Sequence, residues 1–140
     1  MIKIKNAFTL LELLVVIGII GILVALATVS YSATQKSGRD SRRKQDLVGI
    51  QNALEQYYSD PAHSYTYPTG SCKAAVSYMN SAWPVDPFTN ADYPIGVSAC
   101  SSSAYCICAE MEKGTAGTYF GPNCVGIDPA KAYYCVGNLQ

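Results

Sequence analysis

Phe8 to Val29 reads FTLLELLVVIGIIGILVALATV, twenty-two residues with one charged group, Glu12. As a helix this run reaches about 33 Å, enough to cross a hydrocarbon core of about 30 Å. The stretch therefore predicts a membrane-embedded helix. Downstream the sequence turns polar without a proline until Pro61, and Leu47, Ile50, Leu54 and Tyr57 recur at intervals of three and four. One face of a continuing helix is thus apolar. Asp60-Pro61 predicts its stop. Gly38 and Gly49 each weaken the helix by about 1 kcal/mol relative to alanine, which predicts a bend or frayed turn near Gly38.

The remainder of the chain has a different composition. All seven prolines and all six cysteines follow Asp60, so the molecule has two parts. The 140 residues carry ten basic and ten acidic groups, too short a chain for a large enzyme fold and without the net charge of a duplex-DNA binder that works by bulk basicity. At 49% hydrophobic it is also too apolar for a disordered tail.

The residues leave three readings of the N-terminus open. Lys3 and Lys5, the apolar run and Ala25-Leu26-Ala27 resemble a secretory signal, although the run exceeds the usual length and Glu12 is costly to leave unpaired in lipid. An uncleaved anchor is a second reading, with Thr9-x-x-Glu12 as a capping box. The third rests on Lys5-Asn6-Ala7-Phe8-Thr9-Leu10-Leu11-Glu12-Leu13-Leu14-Val15-Val16-Ile17, which resembles the processing site and N-terminal helix of type IV pilins and type II secretion pseudopilins.

The resemblance implies cleavage by a prepilin peptidase between Ala7 and Phe8, with N-methylation of the new amine. It departs from the family pattern where Ala7 replaces the usual glycine and Val29 a frequent proline. The implied organisation is a leader over 1–7, a transmembrane and filament-core helix over 8–30, an amphipathic second half over 31–60 and a globular β-rich head over 61–140. The implied partners are copies of the chain or other pilins, the peptidase/N-methyltransferase, and an inner-membrane assembly platform with a separate ATPase. The implied location is the inner membrane as a single-pass precursor, then an extracellular pilus or a periplasmic pseudopilus.

Glu12 fits this reading on physical grounds as well. Once the Phe8 amine is free, Glu12 lies four residues on, along the same helical face and near the positive end of the helix dipole. A carboxylate in lipid wants a cation, and the Phe8 amine of a neighbouring subunit supplies one at a fixed axial register; pairing with its own amine is the alternative.

Lys36, Arg39, Arg42, Arg43 and Lys44 follow the apolar run, so a positive-inside count places the C-terminal part in the cytoplasm. Six cysteines and the leader motif argue for the opposite orientation, an oxidising compartment reached by export. With Asp40 and Asp46 interleaved, the patch reads as a solvated helix face; pairing between subunits and contact with lipid phosphate or DNA are the functional alternatives.

Residues 61–140 hold three basic and five acidic groups with the six cysteines. So small a globule gains from covalent staples. Cys72, Cys100, Cys106, Cys108, Cys124 and Cys135 allow about fifteen full pairings. Many pilins close their C-terminal region with a disulfide, and the resemblance implies Cys135 with Cys108 or Cys124. Alternation over Tyr105–Glu112 predicts a strand with Cys106, Cys108 and Glu110 on one face, and Thr118–Phe120 and Ala132–Val136 are shorter strand candidates. Cys72–Met79 is a candidate short helix.

Zinc on Cys106, Cys108, Cys124 and Cys135 is disfavoured against disulfides because the spacing lacks two paired knuckles and the one histidine is His63. Asp86, Asn90 and Asp92 have calcium-loop spacing, but Ala91 replaces the required glycine and Val97 the bidentate glutamate. No phosphate loop or hydrolase motif occurs, so neither an enzyme, a cofactor nor a metal is expected. The eleven tyrosines read chiefly as packing, with adhesion the lesser reading.

The sequence thus predicts an α+β fold, a long hydrophobic α-helix packed by its second half against a small disulfide-stapled antiparallel sheet. The expected function is a structural subunit of a type IV pilus or related filament. A pseudopilin or minor pilin is the alternative within the family, and a monomeric membrane-tethered extracellular binding domain the alternative outside it.

Overall fold

The computed structural model describes residues 8–93, 100–114, 124 and 128–139. A long helix, α1 (Leu10–Ser59), precedes two 3₁₀ helices, Pro61–His63 and Cys72–Tyr78, and two strands, β1 (Cys106–Glu110) and β2 (Tyr133–Gly137). The chain divides into two compact units, Met1–Gln35 and Lys36–Gln140.

In the first unit α1 opens on a closed capping box. Thr9 Oγ1 accepts from the Glu12 amide at 3.2 Å, and Glu12 Oε2 accepts from the Thr9 amide at 2.9 Å and the Thr9 hydroxyl at 3.0 Å. Two backbone donors that a helix start leaves orphaned are thereby satisfied. The following turns are apolar on every side, and their large side chains are exposed, from 46% at Val16 to 81% at Leu10. An 18-residue window within α1 is apolar enough to cross a membrane, and none of it is buried.

In the second unit α1 is helical through Gly38 and Gly49, so no frayed turn interrupts it near Gly38. Asp40 and Arg43, one turn on, are bonded to the head and anchor this part of the helix. The helix ends at Ser59. Asp60 takes the extended conformation that a residue before proline favours, and its side chain caps the next turn by accepting from the Ala62 amide at 2.9 Å.

Leu47, Ile50, Ala53 and Leu54 of α1 are buried in one core with Tyr67, Tyr105, Ile107, Ala109 and Val136. β1 and β2 pair antiparallel, with Cys106 opposite Gly137 and Cys108 opposite Cys135. Alternation along β1 sends Ile107 and Ala109 into the main core and Cys106 and Cys108 into a second cluster. Cys72–Tyr78 is a 3₁₀ helix rather than an α-helix, with Cys72 and Ala75 buried three residues apart, the period of that helix. The strand expected over Thr118–Phe120 lies outside the described residues.

Three disulfides close the head: Cys72–Cys100, Cys106–Cys124 and Cys108–Cys135. Cys72 and Cys100 are separated by 28 positions. A loop of that size restricts the unfolded chain by about 3.5 kcal/mol in the chain-entropy account. Denaturant unfolding of the Cys72→Ser/Cys100→Ser chain should register a loss of that order, and an unchanged midpoint would refute the assignment of this staple as stabilising.

Candidate functional site

Asp40, Arg43, Leu47, Ile50 and Leu54 recur at intervals of three and four, so two charged residues share the face of α1 that packs on the head. Asp40 and Arg43 are both buried, as is Asp86 in the head. The Arg43 guanidinium reaches Asp86 through Nε at 2.6 Å and Nη2 at 3.3 Å, while Nη1 donates to Asp40 at 2.8 Å and Glu112 at 3.0 Å. Arg39 clasps the same Glu112 through Nε and Nη2 at 2.6 and 2.5 Å. Asp40 completes the join by accepting from the Glu112 and Lys113 amides at 2.9 and 2.8 Å. Two planar guanidiniums, each bidentate, fix the rotation of this part of α1 against the head more closely than apolar packing does.

A second join lies further along the helix. Glu55 accepts from the Tyr67 and Tyr105 hydroxyls, both at 3.0 Å, and from the Leu139 amide at 3.1 Å. Gln51 donates to the Gly137 carbonyl at 2.8 Å, and Tyr93 donates to Asp46 at 2.5 Å.

The charges at the first join respond to pH. The Arg39 hydrogen bonds pull the Glu112 carboxyl down to about 2 from an ordinary 4.5, against a smaller opposing effect of burial. Burial raises Asp86, but the Arg43 hydrogen bonds and the Thr89 and Phe88 amides outweigh it and hold this carboxyl well below its usual range. A carboxyl depressed by folding stabilises the fold above its unfolded pKa and loses that contribution as pH falls through the folded value. Thermal melts of the full chain in detergent should therefore be flat down to about pH 5 and then decline between about 4.5 and about 2. A midpoint constant to pH 2 would contradict the ion network.

Phe8 is exposed, Glu12 is held by Thr9, and Ala7 lies outside the described residues. All six cysteines are in disulfides. Asp86 has both oxygens taken by Arg43 and the Phe88 and Thr89 amides, and Asp92 pairs with Lys73 at 2.6 Å. The calcium-loop spacing thus folds around a guanidinium. The basic patch also divides: Lys36, Arg42 and Lys44 lie on the exposed surface, whereas Arg39 and Arg43 bond within the chain, which corrects the reading of the whole run as a solvated face.

Comparison with known proteins supplies the context for the exposed half of α1. Residues 2–28 match the family described as the prokaryotic N-terminal methylation motif. The chain is 37% identical over 65 residues to type II secretion system core protein G of Escherichia coli (strain K12), covering 46% of this chain and 43% of that protein. It is 35% identical over 65 residues, with the same coverage, to core protein G of Aeromonas hydrophila. It is 32% identical over 85 residues to fimbrial protein EcpC of Eikenella corrodens, covering 56% of this chain and 54% of that one. The chain thus spans about half the length of the curated relatives it matches. No solved structure gave a significant match. A methylation motif on an exposed apolar helix, a disulfide-stapled α+β head and these relatives make the chain similar to pilins and pseudopilins.

Proposed function

We propose that the chain is a structural subunit of a pilin-type filament, cut before Phe8, N-methylated there, and polymerised through the apolar half of α1. One observation carries the reading: an apolar run with no buried surface, headed by a carboxylate in its first turn and lying inside the methylation motif. Lipid covers such a run in the precursor, and neighbouring stems cover it in a filament, so one sequence serves as anchor and as assembly surface. Glu12 then exchanges its local Thr9 partner for the Phe8 amine of an adjacent subunit. The domain limits that go with this are a leader over 1–7, a membrane and filament-core segment over 8–30, an amphipathic segment over 31–60 and a head over 61–140. Lys36 and Arg42, exposed and without an ion pair among the described residues, are available for contacts between heads and stems.

The resemblance to core protein G favours a pseudopilus as the second reading, and that to a fimbrial protein favours a surface pilus. Antibody labelling of intact cells separates them. A pilus subunit is labelled on filaments that shear from the surface, whereas a pseudopilus subunit is labelled only after the outer barrier is opened. A chain that never leaves the membrane as a polymer under either condition would contradict both.

A further inference from the structure

The sulfurs of Cys106, Cys108, Cys124 and Cys135 all lie within 4.8 Å of one another, and all four residues are buried. They form a cluster apart from the main core, where Cys72 and Cys100 reside. Among the described residues its apolar lining is the four cysteines and the partly buried Tyr133. So small a patch gains little from burial alone, and bonds between the sulfurs are what close it. In the structure those bonds are Cys106–Cys124 and Cys108–Cys135, side by side, with Cys106 Sγ and Cys108 Sγ 3.6 Å apart though not bonded to each other.

Strand pairing fixes three of these four positions, and Cys124 is joined to them through Cys106. Cys106 and Cys108 occupy one face of β1 at the two-residue repeat, and β2 sets Cys135 directly opposite Cys108. Ile107, Ala109 and Val136, from the same strands, are locked in the main core. In a zinc tetrathiolate with bonds of about 2.3 Å the sulfurs stand about 3.8 Å apart; Cys106 Sγ and Cys108 Sγ already stand 3.6 Å apart, and the two bonded pairs reach that spacing once their S–S bonds open. The Cys-x-Cys pair on a strand and the cross-strand cysteine supply in space what the linear spacing lacks as paired knuckles.

We propose that small-molecule thiols, themselves oxidised to their disulfides, reduce both S–S bonds and convert this cluster into a four-thiolate site for a thiophilic divalent cation such as Zn²⁺, so that coordination closes the head in the reduced chain and two disulfides close it in the oxidised chain. Four thiols bind Zn²⁺ with release of four protons, giving a dianionic centre. Two small-molecule disulfides then remove two electron pairs: both protein S–S bonds form, four small thiolates leave and Zn²⁺ is released. The two states are mutually exclusive because each uses all four sulfurs.

The test uses the full-length chain in detergent micelles, reduced with a phosphine, freed of reductant under argon and titrated with Co²⁺ and then Zn²⁺. The expected result is one Co²⁺ per chain with the intense visible bands of tetrahedral thiolate cobalt, bleached by Zn²⁺ and absent from the oxidised chain. Iodoacetamide should then alkylate the zinc-loaded chain twice rather than six times, at Cys72 and Cys100. Cys72→Ser/Cys100→Ser should retain the site, and Cys106→Ser/Cys124→Ser should weaken it at least about tenfold. Oxidised glutathione should expel the metal as both disulfides form. No tetrahedral spectrum, alkylation at all six cysteines, equal loss whichever pair is replaced, or metal retained after both disulfides close would each overturn the proposal.

Discussion

Glu12→Leu should reduce the yield of sheared or sedimentable filament by about tenfold or more while leaving cleavage before Phe8 intact, because it removes the carboxylate that we propose pairs with the amine of the next subunit. The substitution makes the stem more apolar, so a failure to enter the membrane does not account for the loss. Local capping is the competing account, since Glu12 closes a box with Thr9. Thr9→Ala separates the two: it opens the box but keeps the carboxylate, and filament yield should stay near that of the unaltered chain. Equal defects in both variants would assign Glu12 a role in helix capping alone, and undiminished filament from Glu12→Leu would remove it from assembly.

Arg43→Ala should be the most damaging single change in the head, costing about 3 kcal/mol or more, because it strips buried Asp86 and Asp40 of their cation. A melting midpoint lower by roughly 10 °C is expected from a loss of that size in a unit of this length. Arg43→Lys should recover only part of the loss, since a single ammonium does not reproduce bonds to three carboxylates. Arg42→Ala is the control: Arg42 is exposed on the same helix, and its removal should shift the midpoint by less than about 0.5 kcal/mol equivalent. Similar effects at both positions would contradict the network.

These two residues also mark how far the sequence could be read. The exposed half of α1 is legible because a long apolar run is a helix signal by length and composition alone. The end of α1 at Ser59 follows from Asp60-Pro61, and β1 and β2 from short alternating runs. Arg43 and Asp40 were obscured by their neighbours, since five cations in nine positions look like a solvated surface. The clue was their place in the three-and-four series that continues to Leu47, Ile50 and Leu54. Their partners Asp86 and Glu112 lie 43 and 69 positions from Arg43, a separation that spacing rules do not reach. The disulfide set is similar: the sequence leaves many pairings open, and register decides for Cys108, which sits across from Cys135. Cys72–Tyr78 reads as helical from its sequence, and the structure winds it as a 3₁₀ helix with Cys72 and Ala75 buried.

The central claim is that the apolar half of α1 leaves lipid to become a filament core after the chain is cut before Phe8. Intact mass and N-terminal sequence, taken from the chain recovered in sheared or sedimented filaments and in membranes of its own cells, test it most directly. The account predicts a chain beginning at N-methylated Phe8 in the polymeric fraction. A chain beginning after Ala27 in a soluble monomeric fraction, or an uncut chain confined to the membrane, would contradict it.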